Sequence, residues 1–181
     1  MIDTPLTWTE VDRIRTALFT DAGAPLFAVV DGARSPRIAP LVESARLPHT
    51  CLYDGELSPR LAEAAPRLVA LTRDATFTSE LIAHGWSQAW GIFVESHAPL
   101  DELRAHLRTL LRVTDAQQRR LLFRYYDPRV LRVYLPTCRA HEARTVFGPI
   151  RRFCLEGASP RQFLDFSVDG GEVKMRATTL S

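Results

Sequence analysis

"LLFRYYDPRVLRVYLP", residues 121–136, runs from apolar residues into two tyrosines, then through an Asp-Pro step into a second apolar stretch carrying arginines. Two readings compete for it. As a reaction centre, Asp127 would be the base, Tyr125 or Tyr126 the acid, and Arg124 with Arg129 the clamps on an anionic small molecule, a set suited to general acid-base chemistry. As a joint, Asp127 stands at a helix N-cap and Pro128 at the first helical position, where its fixed φ fits and its missing N–H has no partner to lose. The carboxylate then accepts N–H bonds from the first turn and complements the helix dipole. The joint is the more economical reading. It makes "RRLLFRYY" (119–126) a strand with Leu121, Phe123 and Tyr125 on one face, and turns Val130, Leu131, Tyr134 and Leu135 of the helix inward.

On the N-terminal side of this joint, helical and extended patterns alternate. Thr7 and Glu10 have capping-box spacing, and Val11, Ile14, Leu18 and Phe19 recur at helical intervals until Gly23. "LFAVVD" (26–31) is a continuous apolar run of the kind buried on both faces of a sheet. Helices are expected from "SPRIAPLVESA" (35–45), "SPRLAEAAP" (58–66) and "TSELIAHG" (78–85), and strands from "TCLY" (50–53), "RLVALT" (67–72) and "AWGIFVES" (89–96). "APLDELRAHLRTLLRV" (98–113) carries one leucine stripe, Leu100, Leu103, Leu107, Leu110 and Leu111.

Strands interleaved with helices predict an α/β class: a single domain with a mixed sheet and interleaved helices, plus a C-terminal β-hairpin. The expected division is an N-terminal helix within 1–24, the α/β domain over 25–155, and a hairpin appendage over 156–181 after the loop "EGASP" (156–160). In "FLDFSVDGGEVKMRAT" (163–178), Leu164, Phe166 and Val168 alternate with polar residues, as do Val173, Met175 and Ala177, and Asp169-Gly170 suits a type I′ turn. The hairpin is expected either to cover an edge of the main sheet or to project as a partner-docking arm.

Composition narrows the function classes. With 46% hydrophobic and 24% charged residues in 181, the chain has enough apolar residues to build a core without metal or disulfide support. A net charge of +2 does not point to nucleic acid. All but one of the 23 basic residues are arginine, Lys174 being the exception. Cys51, Cys138 and Cys154 are scattered and are expected to be free thiols. The N-terminus has no secretory pattern and no stretch reaches the roughly eighteen apolar residues of a membrane span, so a cytosolic protein with no membrane partner is expected.

Other chemistry is weakly represented. Cys138, His141 and Glu142 are close in sequence, but a thiolate-imidazole pair requires convergence in space and an orienting third group. His84, His97 and His106 have no metal-ligand spacing, and no nucleotide-binding glycine motif or serine nucleophile elbow is present, so no metal and no cofactor are expected. Arg129 and Arg132 lie three apart on one helical face, with Arg139 following, which reads either as a solvated face or as an electropositive patch for an acidic protein partner.

An ordered series of segments carries a family resemblance: "LFAVVDGA" at 26–33, "CLYDGEL" at 51–57, "AAPRLVAL" at 64–71, "WGIFVES" at 90–96, "LRAHLRTLLRV" at 103–113, "FRYYDPRVL" at 123–131 and "FGPI" at 147–150. Over about residues 25–153 the chain resembles the adaptor chaperones of the bacterial type VI secretion system. That resemblance implies a cytosolic, non-enzymatic protein that binds a toxic effector and helps load it onto the spike-tip protein. Arg124, Tyr126, Asp127, Pro128 and Arg129 match the family's signature, to which the resemblance attaches no catalytic role. Longer members carry a larger C-terminal extension, in place of which this chain has the predicted hairpin.

Overall fold

The structure is a computed structural model that describes residues 6–20, 23–114 and 117–180. Helices α1 (Trp8–Leu18), α2 (Ile38–Ser44), α3 (Pro59–Ala64), α4 (Thr76–Gly85), α5 (Leu100–Leu110), α6 (Pro128–Tyr134) and α7 (Ala140–Phe147) alternate with strands β1 (Leu26–Asp31), β2 (His49–Cys51), β3 (Pro66–Leu71), β4 (Gly91–Ser96), β5 (Arg112–Thr114), β6 (Arg120–Leu122), β7 (Ile150–Glu156), β8 (Gln162–Asp169) and β9 (Glu172–Thr179). Seven strands form one sheet in the order β2-β3-β1-β4-β7-β8-β9, and β5 with β6 forms a separate two-stranded ribbon.

The α/β architecture stands, and within it every pairing of the main sheet is antiparallel. An unbroken apolar run reports that both faces of a strand are covered, and it carries no information on strand direction. Both faces of β1 are indeed covered: Phe27 and Val29 pack in one core with α5, α6 and α7, while Leu26, Ala28 and Val30 pack in a second core with α1, α2 and α4. The same alternation divides Ile92 and Val94 from Phe93 in β4, and Phe153 and Leu155 from Cys154 in β7. The layers are therefore helix, sheet, helix.

Local expectations hold at several caps. Thr7 and Glu10 form the capping box of α1, the Glu10 N–H donating to Thr7 Oγ1 at 3.3 Å and the Thr7 N–H to Glu10 Oε2 at 2.9 Å. Elsewhere the boundaries move. Ser35-Pro36 belongs to a turn in which Ser35 Oγ accepts from the Arg37 N–H at 3.3 Å, so α2 begins only at Ile38. The last residues of the leucine-striped segment leave the helix and become β5.

The expected strand over 119–126 is corrected. Only Arg120–Leu122 is extended, outside the main sheet, and residues 125–127 form a turn closed by the Asp127 N–H on Arg124 O at 3.0 Å. Successive strand residues point to opposite faces, whereas Tyr125 and Tyr126 are both buried in the same core. A turn satisfies that requirement, and it leaves Leu121 and Leu122 facing solvent at 46% and 52% exposure.

The C-terminal hairpin extends the sheet, β8 pairing with β7 and β9 forming the edge. Its turn is one residue later than expected. Asp169 pairs with Glu172, so Gly170 and Gly171, at φ 58° and 84°, are the central residues of the tight turn.

Candidate functional site

The signature segment is built into a buried polar cluster at one end of the sheet. Asp127 is the N-cap of α6 and only 3% exposed. Its Oδ1 accepts from the Arg129 backbone N–H and from Arg129 Nε, both at 2.9 Å, and its Oδ2 accepts from Arg129 Nη2 at 2.6 Å. Burial pushes the Asp127 carboxyl up, but the Arg129 hydrogen bonds, with the charges of Arg129 and Arg124, outweigh it and hold the group below the ordinary carboxylate range. Both carboxylate oxygens are thus engaged by Arg129. Pro128 is buried at the first helical position.

Arg124 reaches back to β1. Its guanidinium is hydrogen-bonded to Asp31, which is 1% exposed and also caps the turn Gly32–Arg34 by accepting from the Ala33 N–H at 3.2 Å. The same guanidinium lies over the Tyr126 ring at 5.9 Å. Burial, followed by the neighbouring Tyr53, drives the Tyr126 hydroxyl upward. The signature thus joins β1, the 51–57 loop and α6 through side chains from each.

Tyr125 differs: its hydroxyl is fully buried with no hydrogen-bond partner among the described residues. An unsatisfied buried hydroxyl destabilises by about 1–3 kcal/mol. Tyr125→Phe is therefore expected to leave the urea midpoint unchanged or raise it, equivalent to about 1 kcal/mol of added stability. Asp127→Ala, by contrast, removes the cap and the Arg129 clamp and is expected to cost about 1–2 kcal/mol, lowering the melting temperature by several degrees in a thermal scan.

Two members of the cluster were not among the residues singled out. Asp31 ends the first apolar run, and a charged residue placed just before glycine is the sign that it terminates a buried strand. Glu156 opens the segment that sequence reading treats as a linker, yet it ends β7 and is only 7% exposed. Its Oε2 accepts from the Ser87 N–H at 2.5 Å and its Oε1 from the Ala89 N–H at 3.1 Å. Ser87 and Ala89 sit at φ 68° and 54°, left-handed conformations that disfavour residues with a Cβ. One buried carboxylate holds both, and burial raises Glu156 to about 7 against those two bonds.

Of the arginines expected to bind a partner, Arg132 donates to Gly157 O at 2.8 Å, and Arg129 is paired as above. Arg139 is exposed, with its backbone N–H donating to Glu142 Oε2 at 2.7 Å at the start of α7. Cys138 Sγ bonds the Tyr134 carbonyl at 3.7 Å, and burial raises the thiol, the opposite of nucleophile activation. His97 Nε2 is 2.9 Å from Arg151, and His106 Nε2 is 3.0 Å from Val146 O. Among the described residues no group of three or more His, Cys, Asp or Glu side chains is placed to hold a metal, and no helix is long and apolar enough to cross a membrane.

A second polar array spans four strands. Glu95 on β4, Arg152 on β7, Asp165 on β8 and Arg176 on β9 alternate in charge across the sheet, with Arg152 Nε on Glu95 at 3.0 Å, Arg152 Nη1 on Asp165 at 3.2 Å and Arg176 Nη2 on Asp165 at 2.9 Å. Arg152 Nη2 also donates to Leu18 O at 2.6 Å, tying the end of α1 to the sheet.

Solvent-facing apolar area concentrates elsewhere. A groove of about 380 Å³ is lined by Leu52, Tyr53, Leu57, Leu61, Leu111 and Leu122, with Arg108 and Asp54 paired at its rim. Leu61 and Leu122 are 45% and 52% exposed, and Val113 and Leu121 of the β5–β6 ribbon are exposed as well.

No curated protein and no solved structure matches the chain. The family described as Domain of unknown function (DUF4123) matches residues 26–145, a stretch that contains β1, the groove and the whole Arg124–Arg129 joint, and the chain belongs to that family.

Proposed function

We propose that this chain is a non-enzymatic adaptor, which binds a toxic effector of the type VI secretion system and helps load it onto the spike-tip protein. The observation that carries this reading is the leucine-lined groove beside the β5–β6 ribbon, where Leu61 and Leu122 are exposed, with Val113 and Leu121 exposed as a pair on the ribbon's other face. Contiguous apolar surface on a folded chain is the ordinary mark of a protein-binding face. The engagement of both Asp127 oxygens by Arg129 gives further support, because it leaves the signature a structural task.

The test is co-expression with a toxin encoded beside this gene. The two proteins should co-elute at moderate salt, and deletion should abolish effector export. Leu61→Glu with Leu122→Glu, both at exposed positions, should dissociate the complex while leaving the melting temperature of the free chain within a few degrees. Separate elution together with intact export after deletion would refute the adaptor role.

A further inference from the structure

β9 is the edge strand, and its outer side is open. The Leu180 N–H donates to Arg161 O at 2.8 Å just beyond the β8–β9 register, which sets the alternation of the ladder. Glu172, Lys174, Arg176 and Thr178 therefore turn their backbone groups toward β8, and Val173, Met175, Ala177 and Thr179 turn theirs outward. Among the described residues no hydrogen bond reaches those four outward N–H groups, and every residue from Lys174 to Thr179 is exposed. An eight-residue strand of this kind is a template for another strand.

The two faces of the edge differ in chemistry. On one, Lys174 and Arg176 adjoin a groove of about 390 Å³ that also takes in Arg151 and Arg152. Its acids are Glu95 and Asp165, both bound by Arg152 and the second also by Arg176, and Glu172 beside it pairs with Lys174 at 2.7 Å, so the four cations Arg151, Arg152, Lys174 and Arg176 outnumber the three carboxylates by one. On the other, Met175 lies opposite Phe166 and is 55% exposed. A strand added here meets positive charge on one side and apolar surface on the other.

We propose that β9 pairs through its open edge with an extended acidic segment of a partner protein, one in which acidic and apolar residues alternate. A second copy of the chain is the poorer occupant, because pairing two β9 strands brings Lys174 and Arg176 of one against those of the other, and like charges across a ladder repel. The owner of the segment need not be an effector, so this surface and the adaptor role can fail separately.

The experiment titrates the full chain with a blocked octapeptide of alternating Glu and Val, and in parallel with its Lys-Val counterpart. The Glu peptide should saturate the chain and slow amide exchange at Met175, Ala177 and Thr179; the Lys peptide should bind about tenfold more weakly or less. Met175→Pro deletes an outward N–H without touching the β8 ladder and should weaken binding by about tenfold. Arg151→Glu with Lys174→Glu, both exposed, should do the same, and decides the matter should the proline variant misfold. Absence of saturable binding, equal binding of both peptides, or binding indifferent to these variants would overturn the proposal. So would a concentration-dependent dimer, seen by sedimentation and dissolved by Met175→Pro, which would assign the edge to a second copy.

Discussion

Arg152→Ala should be the most damaging polar substitution in the molecule, costing about 3–5 kcal/mol and lowering the melting temperature by about 10 °C. Arg152 is 8% exposed, and the two acids it separates, Glu95 and Asp165, are each 7% exposed. Removing the cation leaves those two largely buried carboxylates facing each other at the floor of the groove. Arg176 still reaches Asp165, and Arg151 stands 3.7 Å from Glu95, which keeps the loss within that range. The loss also releases the carbonyl at the end of α1, so amide exchange in Trp8–Leu18 should accelerate more than in α5. Arg152→Lys should recover little, because a single ammonium lacks the planar fork that meets Glu95, Asp165 and Leu18 O together. Urea denaturation of the two variants checks this, and full stability in either contradicts the account.

The second large effect is one of pH. Burial raises Glu156 from an ordinary value of 4.5 to about 7. Between those two values the folded chain retains a proton that the unfolded chain has released. The contribution of Glu156 is therefore fully present below pH 4.5 and is lost as pH rises through about 7, a change on the order of 3 kcal/mol. Arg132 favours the charged form and Asp127 opposes it. Glu156→Gln should flatten the pH dependence of the urea midpoint across this window while still accepting one of the two loop N–H bonds. An unaltered pH profile in that variant would show that the raised carboxyl is not its source.

How much of this was legible in the sequence follows from the range of the forces involved. Asp127 and Pro128 act within one turn of their own helix, and their roles could be read from two adjacent letters. The capping box of α1 is equally local. The Arg124–Asp31 bond spans 93 positions and the Glu156–Ser87 bond spans 69, so neither leaves a pattern in any short window. β7 was overlooked for a related reason. "IRRFCLE" (150–156) carries charge at Arg151, Arg152 and Glu156, which reads as surface, and Arg152 and Glu156 are admitted to the interior only because partners on distant strands and loops neutralise or bond them. The tyrosine pair failed as a strand because local alternation cannot report that two successive rings share one core.

The position of β7 also bears on where this protein can be cut. It occupies the middle of the sheet, between β4 and β8, yet begins five residues after the family match ends at residue 145. A fragment trimmed to that match would strip β4 of its neighbour and bare Phe93, Val94 and the underside of α5 to water, a recipe for insoluble material. In this chain the matched segment is thus a fragment of the folding unit, and the strands that finish it, β7, β8 and β9, lie outside the match.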